Sequence, residues 1–259
     1  MDQSLYLRAV HDESLRFRDA LAGLTGTEPV PTCPGWDADD LLHHLTQVQL
    51  YWARVLADGL TTDDEVAALQ PPPRDDHAGL LAGFEEANQA LVGAVRGTAP
   101  DDHRWTWAPE QTAGFIHRRQ AHEALVHRVD AELAAGTSPS PLEPGLAADG
   151  VDETLTVMFG QPPAGCDFTA TPGQVVGFTA VDTGHRWLHV VGSFTDPREG
   201  TVPCLDLAPD GAEATAEVAG SAADLDLWLW HRPFAGPLST SGDAATLAAL
   251  QVVLDEPLS

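Results

Sequence analysis

Three side chains in this sequence have the types and spacing to share one metal ion. Glu123 and His127 lie four residues apart in the run Arg118-Arg119-Gln120-Ala121-His122-Glu123-Ala124-Leu125-Val126-His127-Arg128-Val129-Asp130. On a helix that spacing stacks them one turn apart on one face, so a carboxylate oxygen and an imidazole nitrogen can reach the same point. A second segment offers His43 and His44. His44 falls on the stripe of Leu41, Val48 and Trp52, whereas His43 falls with Asp39, Gln47 and Arg54 on the wetter side. One histidine from one helix, with a glutamate and a histidine from another, makes a three-ligand shell. Coordination positions are left over for water or substrate, as in a catalytic site rather than a structural one. Two histidines and a carboxylate suit Zn²⁺, and non-haem Fe²⁺ takes the same set. The bland alternative is a Glu/His hydrogen bond beside a core histidine. A HExxH metalloprotease is excluded, because His122 and His127 are five apart and point to different faces.

The elements that would position these residues follow from apolar periodicity and breakers. Leu5 to Leu21 reads as a first helix. The breaker-rich segment Glu28 to Gly35 precedes Asp37, an N-cap candidate, with Asp39 and Asp40 in a first turn that favours negative charge. The second helix then runs to about Ala57. Pro71-Pro72-Pro73 breaks the chain, a third helix carries Leu80, Phe84, Leu91 and Val95, and a fourth runs from Thr112 to Ala135 with Gly136 as its stop. Four helices with long connections predict an antiparallel bundle. Thr137 to Pro144 is a seam, giving domains over 1–145 and 146–259.

The second half changes character. Leu146 to Met158 reads as one more helix. Val175–Ala180 and Trp187–Gly192 flank Asp182-Thr183-Gly184 as a hairpin, and Ala212–Val218 alternates like a strand. Ser221–Trp230 and the segment after Gly242-Asp243 read as helices, so this half is α+β.

Composition narrows the chemistry. The chain has 259 residues and a formal charge of -26, with 13 cationic side chains that are all arginine. The absence of lysine excludes Schiff-base catalysis, and the absence of a basic footprint argues against nucleic acid or an anionic membrane as partner. Cys33, Cys166 and Cys204 form neither a disulfide framework nor a CxxC site. With no leader pattern at Met1–Arg8 and no long apolar run, a cytoplasmic protein is expected. There is no GxGxxG, P-loop or GxSxG. Cys33, beside Pro34-Gly35, reads as packing or as a thiol near a helix start, and Trp36 as a core anchor. Arg232, in Leu229-Trp230-His231-Arg232-Pro233, is a solvated arginine or a clamp for a substrate carboxylate.

Val30-Pro31-Thr32-Cys33-Pro34-Gly35-Trp36, followed by Asp40-Leu41-Leu42-His43-His44-Leu45, resembles the first signature of the mycothiol-dependent maleylpyruvate isomerase family, one of the DinB-like metal-binding helical bundles. Arg119 to Glu123 with His127 to Glu132 resembles the second, and Ala216 to Gly220, the Leu/Trp-rich helix and Arg232 resemble the smaller C-terminal domain. The resemblance implies a DinB-like four-helix bundle joined to a sterol-carrier-like α+β domain. It implies a divalent metal, usually zinc, on His44, Glu123 and His127, and a basic cleft residue at Arg232. It also implies mycothiol, a low-molecular-weight thiol, as cosubstrate beside a small-molecule substrate. The activity expected is cis–trans isomerisation through the thiolate, or S-transfer from it to a small electrophile. Two alternatives stay open: a hydrolase or lyase that uses the metal without mycothiol, and a non-enzymatic small-molecule-binding protein.

Overall fold

The computed structural model describes residues 3–160, 162, 165–198, 200–256 and 258. The chain divides into two compact units, Met1–Ser140 and Pro141–Ser259. The first unit holds α1 (Gln3–Leu21), α2 (Ala38–Asp58), the short α3 (Asp63–Ala67), α4 (His77–Gly97) and α5 (Ala113–Ala134).

Local chemistry sets the ends of the two helices that matter most. Asp37 caps α2 by accepting from the Asp40 backbone N–H at 2.8 Å, and the Asp40 carboxylate accepts from the Asp37 N–H at 3.1 Å. This reciprocal box satisfies two orphan donors of the first turn. Gly59 ends α2 in the left-handed region, at φ 69°, where a glycine meets no Cβ penalty. Thr112 caps α5, its hydroxyl accepting from the Phe115 N–H at 3.1 Å.

The helix directions follow from residue pairings. Tyr6 meets His122, and Glu13 meets Arg128, so α1 and α5 run the same way. Asp39 meets His77, and Gln49 meets Asn88, so α2 and α4 also run together. Gln3 reaches Val95 and Arg18 reaches Glu85, which sets α1 against α4. The antiparallel expectation therefore holds between these pairs and not within them. The segment 59–76, which contains α3, is long enough to return the chain to the end where α2 began, so α4 starts beside the start of α2. Phe17 and Leu21 of α1, Leu41, Leu42 and Leu45 of α2, Leu80 and Phe84 of α4, and Ala131 of α5 close the core at that end.

Helix α5 is buried on nearly every side, polar residues included. Arg128 is fully buried, its Nε donating to Glu13 at 2.7 Å and its Nη1 to Glu132 at 2.8 Å. A buried charge persists only when it is paired in this way.

The second unit contains α6 (Pro144–Glu153), which passes into a π-helical turn over Thr154–Met158. It then has β1 (Thr169–Ala180), β2 (Arg186–Asp196), β3 (Gly200–Leu207), β4 (Ala216–Gly220), α7 (Ala222–Leu229), β5 (Ser239–Gly242) and α8 (Ala244–Leu254). The sheet order is β3-β2-β1-β4-β5. The β1–β4 pair is parallel and the other pairs are antiparallel. Val176, Phe178, Val218, Leu225, Leu229, Val253 and Leu254 are buried within this unit. The hairpin expected at Asp182-Thr183-Gly184 joins β1 to β2. The fold is thus a helical bundle followed by an α+β domain. Among the described residues, no helix is long and apolar enough to cross a membrane.

Candidate metal centre

The bundle brings His44 of α2 to Glu123 and His127 of α5. One ligand atom from each lies within 4.8 Å of the other two. Glu123 Oε1 is 3.1 Å from His127 Nε2 and 3.5 Å from His44 Nε2. The two imidazole rings are 4.9 Å apart and nearly perpendicular. An ion with tetrahedral bonds of 2.0–2.1 Å sets its ligand atoms about 3.3 Å apart. Both oxygen–nitrogen separations sit beside that value and the two histidine nitrogens lie within 4.8 Å of one another, a donor set of the type that holds one small divalent ion.

Each donor is held by a further contact. Asp130, fully buried one turn beyond His127, lies 2.9 Å from His127 Nδ1. Both ring nitrogens of His127 thus face carboxylates, and with Nδ1 holding its proton toward Asp130, Nε2 is the nitrogen a metal would take in exchange for its proton. Arg119, one turn before Glu123, donates to Glu123 Oε2 at 2.7 Å and leaves Oε1 toward the histidines. Trp36 packs its ring 5.0 Å from the His44 ring. The segment before α2 also reaches Asp130: the Thr32 hydroxyl donates to it at 2.5 Å and the Cys33 thiol at 3.8 Å.

The electrostatics reflect these contacts. Burial by itself pushes the Glu123 carboxyl up, but Arg119 and the two histidines more than offset it and hold the acid well below its usual range. Burial likewise pushes His127 down, yet its hydrogen bonds to Asp130 and Glu123 prevail and raise it to about 9. The site is negative enough to favour a cation of either kind, proton or metal.

The comparisons with known proteins agree with one another. The model of the mycothiol maleylpyruvate isomerase N-terminal domain matches residues 7–132, and the MDMPI C-terminal domain model matches residues 145–249. The chain belongs to the mycothiol maleylpyruvate isomerase family. A crystal structure of the mycothiol-dependent maleylpyruvate isomerase superposes on this family member with a TM-score of 0.61 at 15% identity, covering 94% of this chain and 95% of that one. A histidine-to-alanine mutant of that isomerase gives 0.60 at 14% identity, over the same shares. At such identity the likeness speaks for the fold. No curated protein matches in sequence.

The remaining residues singled out in the sequence of this family member lie elsewhere. His43 points away from the triad, with its Nε2 3.0 Å from Gln47 Nε2. His122 is buried edge-on against Tyr6. Arg232 belongs to the second unit, where it donates to the Trp230 carbonyl at 2.6 Å and sits 5.9 Å from the Trp230 ring. It follows an unusual turn. The His231 N–H bonds to the Trp228 carbonyl and the Arg232 N–H to the Leu227 carbonyl, the paired closure of a Schellman motif. His231 takes the left-handed position, at φ 58°, that glycine normally fills. Sequence reasoning gave no role to Asp130, Thr32 or Arg119. Asp130 at i+3 from His127 and Arg119 at i−4 from Glu123 were both legible as helix neighbours. Thr32 was not, because only the fold carries it to α5.

Proposed function

We propose that this protein is a metal-dependent enzyme that uses mycothiol as its nucleophile and catalyses cis–trans isomerisation of a small electrophilic alkene. The observation that carries this reading is the convergence of His44, Glu123 and His127, with His127 held by Asp130 and Glu123 held by Arg119. Zinc is the ion we assign. Bound there, it supplies the Lewis acidity that ionises a thiol near neutral pH.

The protein's own residues then have distinct tasks. His44 and His127 would each offer a ring nitrogen to the ion, and Glu123 a carboxylate oxygen. Asp130 holds a proton on His127 Nδ1, so that Nε2 is the nitrogen that gives up its proton to ligate. His44 is the most accessible of the three, which leaves the approach for thiol and substrate on its side. In the isomerisation, the thiolate sulfur adds to one alkene carbon and the π electrons move into the conjugated carbonyl. The new single bond rotates, and the same electrons return to re-form the double bond as the sulfur leaves. Thiol and atoms are conserved. We assign Arg232 the role of holding a substrate carboxylate, for which its planar guanidinium is suited. The shared first stage also serves S-transfer, and the relatives' activity favours the isomerase outcome.

Elemental analysis of tag-free protein beside His44→Ala and His127→Ala tests the centre. About one zinc per chain, lost in both variants, is the expected result. Turnover of cis-enoic acids should then require both thiol and metal. Turnover without thiol points instead to a metal-dependent hydrolase or lyase. A protein that takes up no metal and whose variants are indistinguishable from it is a binding protein.

A further inference from the structure

One feature of α2 lies outside the triad. A cavity of about 300 Å³ opens on the face of α2 just beyond His44, walled by Val48, Tyr51, Trp52, Leu69, Pro71 and Pro72. Val48 is four residues and Tyr51 seven residues after His44, so both share its helical face and continue it by one and two turns. The opposite wall comes from the proline-rich segment between α3 and α4. The floor is rigid and aromatic: Trp105 stacks on Trp52 at 6.0 Å and 22°, and Tyr51 meets both rings edge-on. Arg54 stands on the wall itself with Gln47 and Gln70, and its Nε is paired with Asp58 at 2.6 Å. An apolar cavity half this size already takes a benzene ring, and 300 Å³ is the lower end of ordinary ligand pockets.

We propose that this pocket binds an aromatic or branched-alkyl group carried by the electrophile. The substrate class is then a cis-enoic acid or related electrophile with an apolar substituent, rather than a compact dianion. This deepens the reading above and rests on it for the reaction. Three observations carry it: the pocket shares a helix face with a proposed metal ligand, its walls are mostly apolar, and the cation on its wall, Arg54, is already paired with an acid. A second carboxylate placed against Val48, Trp52, Leu69 and the prolines would lose its hydration, and the one cation on the wall already pairs with Asp58.

Two measurements test the pocket. The first is equilibrium dialysis of metal-stripped, thiol-free protein with N-phenylfumaramic acid and N-methylfumaramic acid, which are already trans and do not turn over. The phenyl compound should bind at least about tenfold more tightly, as burial of a ring predicts. Val48→Phe and Leu69→Phe, both at partly exposed positions, should each remove most of that difference; two variants guard against one that fails to fold. The second is kcat/KM for N-phenyl- against N-methylmaleamic acid with thiol and metal present, where the same preference should appear and shrink in both variants. Equal binding of the two compounds by the wild type overturns the proposal. So does full binding by both folded variants, which would place the ligand elsewhere. A dimer in sedimentation that both substitutions dissolve would assign the pocket to a second copy of the chain and overturn it as well. Absence of thiol-dependent turnover with phenyl-selective binding intact would sink the proposed reaction while leaving the pocket's ligand class in place.

Discussion

Replacing Asp130 with asparagine is the sharpest probe of the candidate centre, because it separates two effects of one carboxylate. Asparagine has nearly the same shape and can still accept from His127 Nδ1, so the fully buried site keeps its packing. What it loses is the charge 2.9 Å from the imidazole. Loss of such a partner behind a metal-bound histidine typically weakens metal binding 10–100-fold, or about 1.4–2.7 kcal/mol. Together with Glu123, the same charge also raises His127 to about 9 in the metal-free protein. Metal must displace that proton, so at pH 7, about two units lower, proton competition costs the wild type roughly a hundredfold in affinity. Asp130→Asn lowers the His127 pKa and relieves part of that cost. The two effects oppose each other at pH 7, and only the first survives above pH 9. Zinc affinity measured by chelator competition should therefore fall 10–100-fold in the variant at pH 9.5, with a visibly smaller loss at pH 7. For the wild type, log affinity should climb by about one per pH unit between 7 and 9. An equal loss at every pH, or none at 9.5, would show that Asp130 does not act through His127.

Other perturbations test the frame around the centre. Arg128→Ala removes the buried cation between Glu13 and Glu132, leaving them with Arg16 and Ser140 as partners. It should cost about 3–5 kcal/mol, read as a lower midpoint in urea denaturation; an unchanged midpoint refutes the network's role. Burial pushes both His117 and His189 down to about 4, and among the described residues neither ring nitrogen of either has a hydrogen-bond partner. Because the unfolded histidine, near 6.5, binds its proton more readily, their contribution is complete above about pH 6.5 and is lost as pH falls toward 4, by about 3 kcal/mol each. His117→Leu should flatten the dependence of stability on pH between 6.5 and 4.5, and a slope equal to the wild type's would count against this. His231→Gly removes a left-handed non-glycine residue and should raise stability by roughly 1 kcal/mol; a lowered thermal midpoint would mean that the His231 side chain contributes more than its strain costs.

What could be read in the sequence had local causes. Helix α2 announces itself through Asp37 and Asp40, whose capping box needs only residues three apart, and through the spacing from Leu41 to Trp52. Glu123 and His127 needed only a helix turn. The pairing of His44 with them came from helical phase plus the assumption that α2 and α5 face each other. The missed elements lacked such signals. Strand β5, Ser239–Gly242, is exposed throughout and has no apolar residue, so only its pairing to β4 defines it. Strand β3 carries Pro203 in its middle, tolerable because β3 is an edge of the sheet. The start of the alternating segment from Ala212 is loop, because Ala216 is the first residue to pair with β1. The π-helical turn at Thr154–Met158 has no local signature at all.

The two N-terminal signatures become one object once their contacts are known. The Val30–Trp36 segment looks in sequence like a turn before a helix, and its proline and glycine do serve that purpose. Its Thr32 and Cys33, however, reach about a hundred residues along the chain to Asp130, which holds His127. Its Trp36 packs on His44. A turn that touches one proposed ligand directly, and another through its buried carboxylate, fixes the separation of α2 and α5 where the triad closes. A ligand set drawn from two helices needs such a brace, since a shift of one helix by even 1 Å would spoil the Glu123–histidine separations of 3.1 and 3.5 Å. The spacing of Thr32 and Trp36 around Pro34-Gly35 is therefore as much a part of the centre as the four-residue step from Glu123 to His127. A variant that lengthened this turn by one residue should lose metal while α2 and α5 stay folded, detected as full helical circular dichroism without bound zinc. Retention of both would show that the two helices hold the triad without the brace.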